Sequence, residues 1–244
     1  NGTAATVVPF TDRRARVYRS TLESDLAIQW INQRKPNRPW MATVSYSSAH
    51  TPYQQPPTAL LPLASVDTNS FNCVDEGQSR VLSNQMLESL DKELGRVMVE
   101  TGLATYNQDG SLNYDPATTN TMVVIVGDNG TFAPGVKAPF DVNHAKGTPY
   151  QTGVWVPLIA AGPLVNTPDR DMPHMVNVAD LFALFGEIAG VDVNKVVPKS
   201  HTLDAVSMLP YLTNPAQTSL RATNFTQTGR NLTANDQRPS PCVL

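Results

Sequence analysis

Hydrophobic and polar positions follow two different periods along the chain. A helical period predicts helices over residues 17–35, 78–100 and 175–190. Short apolar, β-branched runs predict strands over 40–48, 121–130 and 154–162; the second runs straight into a turn and Pro157 interrupts the third. Because helices alternate with short strands, the pattern predicts an α/β domain with a largely parallel sheet.

The same periods predict which side chains are buried. In the first helix Leu22, Leu26 and Ile28 recur near the helical period, and in the second Met86 and Leu87 belong to the apolar stripe. Residues 40–48, with sequence WMATVSYSS, form a continuous apolar run, which is typical of a strand buried on both faces.

Composition narrows the class of protein. The 244 residues are 41% hydrophobic and 16% charged with a net charge of −3, so no basic stripe is present to bind nucleic acid. No apolar run approaches the roughly 18 residues of a membrane span. The two cysteines, Cys73 and Cys242, can form at most one disulfide and match no zinc-binding spacing.

Candidate chemistry lies in the loops after two predicted strands. The chain has 20 prolines against 14 glycines, and the loop over 49–75 is longer than most connections in a compact domain. In parallel α/β sheets, ligands bind beyond the carboxyl ends of the strands. Residues 40–48 lead into His50, and residues 121–130 end in Asp128, Asn129 and Gly130.

Asp128 and Asn129 supply a carboxylate and an amide oxygen, which suit a hard cation such as Ca²⁺ or Mg²⁺. Gly130 would let the backbone turn sharply behind them. An ordinary Asp-Asn-Gly turn is the alternative, and two residues are too few for a cation that needs six or more oxygens.

His50 and Lys146 are the other candidates. A histidine after a strand end can hydrogen-bond an anion or pass a proton to a leaving group, although it can equally satisfy loop backbone groups. Lys146, followed by Gly147, can neutralise a sulfate or phosphate oxygen or remain a solvated surface side chain. His144 is the remaining histidine most able to approach such a site, and no histidine pair has metal-binding spacing.

Five segments in order resemble the sulfatase family of the alkaline-phosphatase-like superfamily: MATVSYSSAHTPYQ, VVIVGDNGTF, AKGTPYQTGVWVPLIAAGP, VNVADLFALFGEIAGV and LDAVSMLPYL. The resemblance implies an αβα sandwich with a mostly parallel sheet. It implies that Asp128 and Asn129 bind one divalent cation, usually Ca²⁺, with Mg²⁺ or Mn²⁺ as alternatives. His50 and Lys146 correspond to residues that contact the sulfate ester.

The chain departs from the family pattern beside these residues. Gln151-Thr152-Gly153 replaces Glu-Gly-Gly, and Trp155 replaces an arginine. No Asp-Asp pair and no C/S-x-P-x-R motif, whose Cys or Ser becomes formylglycine, occurs in residues 1–244. We therefore expect residues 1–213 to be the C-terminal portion of a catalytic domain that is incomplete at its N-terminus. Residues 214–244 are expected to be a polar tail or the start of a subdomain, with formylglycine upstream or in a companion chain.

The resemblance implies a hydrolase of sulfate esters (a sulfuric ester hydrolase) acting on a small-molecule or carbohydrate sulfate. Two alternatives remain open. One is a phosphodiesterase, phosphonate hydrolase or phosphotransferase of the same superfamily, and the other is a non-catalytic binding protein on a degraded sulfatase scaffold. The residues do not specify a compartment, although the resemblance favours the periplasm or secretion.

Overall fold

A computed structural model describes residues 7–62 and 75–227, together with the backbone of 242–243. The helices are α1 (Arg19–Asn32), α2 (Glu76–Glu100), α3 (Pro116–Thr119), α4 (Gln151–Val154), α5 (Asp180–Ile188), α6 (Val193–Val196) and α7 (Leu209–Thr213). The strands are β1 (Tyr53–Gln54), β2 (Thr105–Tyr106), β3 (Leu112–Asn113), β4 (Val123–Val126), β5 (Leu158–Ala161) and β6 (Cys242–Val243). Cys73 lies outside the described residues, so the predicted limit of one disulfide stays a prediction.

The chain forms two compact units. Unit 1 comprises Asn1–Asp115, Phe132–Val142 and Asn231–Leu244, and unit 2 comprises Pro116–Thr131 and Asn143–Arg230. The chain therefore passes between the units more than once. The division at residue 213 expected from the sequence stays a prediction. Across the described ranges, no helix combines the length and apolar character needed to cross a membrane.

In unit 1, α1 packs against α2, and the buried positions of α1 are more polar than predicted. The buried residues of α1 are Ser20, Ser24 and Ile28, spaced four apart. Leu22 and Leu26, which the sequence pattern assigned to the apolar stripe, are exposed. The predicted helix is confirmed, and Ile28 is buried as predicted. The other two buried positions are serines, whose hydroxyl groups contact Tyr46 and Ser48 rather than α2.

Helix α2 begins and ends where its capping residues stand. The Asp75 carboxylate accepts a hydrogen bond from the Gln78 amide at 2.8 Å, and Gly102 follows the helix with a φ of 74°. Leu82 and Met86 pack with Tyr53 of β1 in the core of unit 1. Leu87 is half exposed, in disagreement with the predicted stripe.

Residues 40–48 do not form the predicted buried strand. Met41 and Val44 are exposed, and no strand is assigned between residues 40 and 48. The segment is held by side chains instead: the Tyr46 hydroxyl lies 2.9 Å from the Ser24 hydroxyl, and the Ser48 hydroxyl lies 2.7 Å from that of Ser20. These hydroxyl pairs dock the segment on α1 rather than on a neighbouring strand.

In unit 2, β4 and β5 form an antiparallel ladder with Val123 opposite Ala161 and Val126 opposite Leu158. The expected largely parallel sheet is therefore not found in the ranges that the structure describes; the parallel pairing seen there is between the two-residue strands β1 and β6. The mixed α/β class is confirmed. Strand β5 begins directly after Pro157, because proline lacks the N–H that a ladder needs.

The core of unit 2 is apolar and forms around α5. Leu181 and Leu184 of this helix pack with Met208, Tyr211 and Leu212. The periodicity predicted this helix and its end at Gly190, which has a φ of 73°. The core cluster packs on β4 and β5 through partly buried apolar side chains, so it supports the strand whose end carries the candidate residues.

Buried Asp180 at the start of α5 joins three segments of unit 2. Its carboxylate accepts hydrogen bonds from the backbone amides of Asn177 and Val206, each at 2.8 Å. It also pairs with the Arg221 guanidinium through both carboxylate oxygens. A buried carboxylate with this many donors is satisfied in place, so it organises the fold around α5.

Candidate functional site

The Asp128-Asn129-Gly130 turn at the end of β4 is fixed by backbone hydrogen bonds on both sides. The Gly127 amide donates to the Pro157 carbonyl at 3.1 Å and the Gly130 amide to the Gly153 carbonyl at 3.0 Å. The backbone on either side of Asp128 and Asn129 is therefore held by the segment that leads into β5.

Gly130 is required for close approach rather than for the sharp turn expected from the sequence. Its φ is not in the left-handed region, but a Cβ at this position would lie 2.2 Å from the Thr152 carbonyl oxygen and 2.5 Å from that of Gly153. Any larger residue would push the two segments apart. Gly153, whose importance the sequence did not indicate, is the matching small residue, since its own Cβ would lie 2.6 Å from the Ala145 carbonyl oxygen.

Lys146 lies on a turn that is attached to the same loop. The Lys146 amide donates to the Thr131 carbonyl at 2.8 Å, and the Thr148 amide closes the turn on the Ala145 carbonyl at 3.1 Å. Gly147 has a φ of 93°, a conformation that glycine adopts at little cost. The structure thus brings the backbone of Lys146 next to the turn that carries Asp128 and Asn129.

Residues 127–131 and 145–148 are named here the anion-site loop after their predicted role, and their three candidate side chains are open to solvent. Asp128 and Lys146 are exposed and Asn129 is partly exposed. The carboxylate of Asp128 and the amide oxygen of Asn129 suit a hard cation, and the ammonium group of Lys146 suits an anion. However, no group of three or more His, Cys, Asp or Glu residues forms a metal cluster among the described residues. Asp128 and Asn129 alone therefore provide an incomplete ligand set.

His50 lies in unit 1, on the exposed loop before β1. Its backbone amide donates to the Ser47 carbonyl at 2.7 Å, and its Nδ1 lies 2.6 Å from the Thr51 carbonyl oxygen. Because a carbonyl only accepts, Nδ1 carries the proton of this hydrogen bond. In the neutral ring the lone pair is then on Nε2, which is the atom left for proton transfer.

Two further residues flank the Lys146 turn. The His144 ring stacks on the Tyr150 ring with centroids 3.6 Å apart and planes inclined by 21°. His144 thus stands two residues before Lys146 and is in ring contact with Tyr150, and its expected approach to the site stays a prediction. The departures from the resembled pattern, Gln151 to Gly153 and Trp155, form α4 and its C-cap.

Among the comparisons with known proteins, one sequence relative agrees with the motifs. No protein-family profile matches the chain. The chain is 29% identical over 198 residues to a protein named Sulfatase from Formosa agariphila, a match that covers 79% of this chain and 33% of the relative. The chain thus spans about a third of the length of that relative.

A solved structure from Bacteroides thetaiotaomicron, provisionally described as a sulfatase, superposes with a TM-score of 0.43 at 14% identity. That superposition covers 90% of this chain and 51% of the other, and it is too weak to support an argument about function. The sequence match is sufficient by itself for one conclusion. The resemblance to the sulfatase family read from the five motif segments is confirmed.

Proposed function

We propose that the native protein carrying this chain is a sulfatase-like hydrolase of sulfate esters. The observation that carries the proposal is the hydrogen bond from the Lys146 amide to the Thr131 carbonyl, 2.8 Å long. It joins the turn that carries Lys146 to the loop that follows Asp128 and Asn129. A cationic side chain and two hard oxygen donors therefore lie on two segments that are hydrogen-bonded to each other. A sulfate ester needs both kinds of group, because its oxygens are anionic and a cation can neutralise them.

In this proposal Lys146 binds the sulfuryl oxygens. Its ammonium group is a compact charge that pairs well with tetrahedral oxyanions. The turn around Gly147 fixes the backbone of the lysine, so less conformational freedom is lost when the anion binds. Stabilising charge that develops on these oxygens is the main contribution that this chain makes to the reaction.

His50 is proposed to assist departure of the alcohol. The Thr51 carbonyl holds the Nδ1 proton, so a proton gained at Nε2 can be donated to the leaving oxygen. The hydrogen bond to Thr51 also orients the ring.

Asp128 and Asn129 are proposed to be two ligands of a divalent cation, with Ca²⁺ favoured over Mg²⁺ and Mn²⁺. When bound, such a cation neutralises negative charge on the sulfuryl oxygens. Their exposure and adjacent positions suit the role, but the remaining oxygens must come from other residues. The resemblance to the sulfatase family also implies a formylglycine nucleophile and an αβα sandwich with a mostly parallel sheet. We include both features in the proposal for the native protein as a whole.

The test compares 4-nitrophenyl sulfate, phosphate and phosphonate esters as substrates of the native protein, with and without added Ca²⁺. We expect sulfate turnover that falls after chelation and in the His50→Ala and Asp128→Asn variants. The matched controls are His201→Ala and Asp171→Asn, which change exposed residues outside the anion-site loop.

Each outcome distinguishes between the candidate functions. Turnover of phosphate or phosphonate esters without sulfate turnover would favour the phosphoryl-transfer alternative. The absence of both turnover and calorimetric Ca²⁺ binding would favour the non-catalytic alternative. If His50→Ala and Asp128→Asn turn over sulfate at the rate of their controls, the residue assignments are wrong.

A further inference from the structure

Asn129 is followed by Gly130, and a glycine in that position leaves an asparagine side chain most open to deamidation. In this covalent modification the backbone nitrogen of the next residue attacks the Cγ of the asparagine. A side chain on the next residue hinders the approach, whereas glycine has no Cβ to stand in the way. The chain has two Asn-Gly pairs, and the other, Asn1-Gly2, lies outside the described residues. The sequence therefore singles out Asn129.

The side chain of Asn129 is not restrained in the folded structure. The residue is partly exposed, so water reaches it. Within the part of the chain that the structure describes, its side-chain amide has no hydrogen-bond partner. Neither full burial nor a hydrogen bond therefore protects the carbon that would be attacked. Any protection has to come from the backbone.

The backbone nitrogen that would attack is held by the segment around α4. The Gly130 amide donates to the Gly153 carbonyl at 3.0 Å, and the Thr131 amide donates to the Thr152 carbonyl at 3.0 Å. Gly130 is also buried against these two carbonyl oxygens. Closing the cyclic imide requires the peptide between Asn129 and Gly130 to rotate. Two consecutive hydrogen bonds and close packing resist that rotation.

The hydrogen bond from Gly130 to Gly153 opposes the reaction in a second way. The nitrogen attacks as it loses its proton, and that proton is the one donated to the Gly153 carbonyl. The contact must therefore open first, at a free-energy cost set by the local stability of the segment. The rate in the folded protein then falls in proportion to the fraction of molecules that are open.

We infer that Asn129 is a site of intramolecular deamidation, and that the hydrogen bond from Gly130 to Gly153 holds the reaction off until this contact opens. The Gly130 nitrogen loses its proton and forms a bond to Asn129 Cγ. The bond from Cγ to Nδ2 breaks, and the side-chain nitrogen leaves with that proton as ammonia. Water then opens the cyclic imide at either carbonyl, which leaves aspartate or isoaspartate. The product adds a negative charge beside Asp128. The inference does not depend on the proposed function.

The experiment follows the conversion of Asn129 by peptide mapping and mass spectrometry at mildly alkaline pH, with the native protein either folded or in guanidinium chloride. We expect the folded protein to react at least about tenfold more slowly, which corresponds to one hydrogen bond of roughly 1.4 kcal/mol. Hydrogen exchange of the Gly130 amide should be slowed as well, because both processes require the same opening. In guanidinium chloride, Gly130→Ala should slow the conversion, because a Cβ hinders the attack.

Two glycine variants separate this contact from a general loss of stability. Gly153→Ala places a Cβ 2.5 Å from the Thr148 carbonyl oxygen, so it should displace the acceptor of the Gly130 amide. We expect it to speed deamidation of the folded protein about fivefold, which corresponds to roughly 1 kcal/mol. Gly186→Ala, which crowds Val193 elsewhere in unit 2, is the matched control and should change the rate by less than about twofold.

Three results would overturn the inference. The first is conversion of Asn129 at the same rate in the folded and the unfolded protein, and the second is no conversion in the unfolded protein. The third is an equal effect of Gly153→Ala and Gly186→Ala on the folded protein. If Gly153→Ala does not fold, a denaturant series below the unfolding transition replaces it. Exchange of the Gly130 amide and deamidation of Asn129 should then accelerate together, and a deamidation rate that does not follow exchange would refute the inference.

Discussion

The two units of this chain use different chemistry to hold their helices. In unit 2, α5 is anchored by an apolar cluster around Leu184 and by one buried ion pair, Asp180 with Arg221. In unit 1, α1 and α2 meet through hydroxyl groups and through Glu93, a buried carboxylate. An apolar period therefore predicts a helix in both units, but it does not predict the buried face where hydroxyl and charged groups form the contact.

The polar contact in unit 1 is a network rather than a single pair. The Glu93 carboxylate accepts from the Thr21 hydroxyl at 2.9 Å and from the Arg96 guanidinium at 2.7 Å. Arg96 also donates to Asp25 at 2.8 Å. Although burial alone lowers the pKa of Arg96, the hydrogen bonds and negative charges of Glu93 and Asp25 raise that pKa well above its ordinary value. The guanidinium therefore stays charged at any accessible pH.

The largest effect is expected from breaking the buried ion pair of unit 2. Asp180→Ala leaves the Arg221 charge and two backbone amides without their acceptor, so we expect the free energy of unfolding to fall by about 4 kcal/mol. Urea denaturation measures the change. Lys195→Ala, which removes an exposed ion pair with Asp192 but keeps the cap that Asp192 provides for α6, is the control and should unfold like the wild type. Equal behaviour of the two variants would contradict the role given to Asp180.

The apolar core of unit 2 comes next. Leu184 is fully buried, and Leu184→Ala should lower the free energy of unfolding by about 3 kcal/mol through lost burial and the cavity that remains. Phe182 lies on the same helix but is 54% exposed, so Phe182→Ala should cost far less. The same urea series checks both variants. A larger loss from Phe182→Ala would show that α5 buries the opposite face.

Removing the buried charge of unit 1 should have a smaller effect. Glu93→Gln keeps the shape of the side chain but loses the charge that Arg96 and Thr21 contact, so we expect about 2 kcal/mol. Asp25→Asn, at the exposed end of the network, should cost less than 1 kcal/mol. If both substitutions cost the same, the buried and exposed parts of the network do not differ as described.

The smallest effect concerns the hydroxyl contacts of residues 40–48. Tyr46→Phe removes the hydrogen bond to Ser24 and should cost about 1 kcal/mol near neutral pH. Burial raises the pKa of Tyr46, so the folded state favours the neutral phenol. The stability that this shift contributes is fully present below the unfolded-state pKa of about 10, and it is lost as the pH rises through the folded-state value.

The free energy of unfolding of the wild type should therefore fall above about pH 10, and the fall should be shallower in Tyr46→Phe. Tyr53, whose pKa burial also raises, remains in the variant and keeps part of the slope. Urea denaturation at a series of alkaline pH values measures both slopes. Identical slopes would show that Tyr46 is not buried in the folded protein.

Local sequence patterns predict where helices end better than they predict which segments pack against one another. Gly102 and Gly190 have positive φ and mark the ends of α2 and α5, as the sequence pattern indicated. The run over 40–48 was read as a strand because its residues are β-branched and apolar. The conformation of this segment depends instead on contacts with Ser20 and Ser24, which precede their partners by 28 and 22 residues. No local period in the sequence reports such contacts.

Only part of the candidate site could be predicted, because local sequence patterns do not report tertiary contacts. Asp128, Asn129 and Lys146 stand out by residue type and motif order. The attachment of the Lys146 turn to Thr131, and the need for two small residues at Gly130 and Gly153, depend on tertiary contacts. The pairing of β4 with β5 is antiparallel, which the alternation of helices and strands could not reveal.

The central claim is that Lys146, held against the Asp128-Asn129 turn, binds the sulfate group of the substrate. The most direct test is kcat/KM of the native protein for 4-nitrophenyl sulfate in Lys146→Ala, compared with Lys199→Ala, which changes an exposed lysine of unit 2 outside the anion-site loop. We predict a loss of about 100-fold or more for Lys146→Ala and a change within twofold for Lys199→Ala. Equal activity of the two variants, with an active wild type, would contradict the claim.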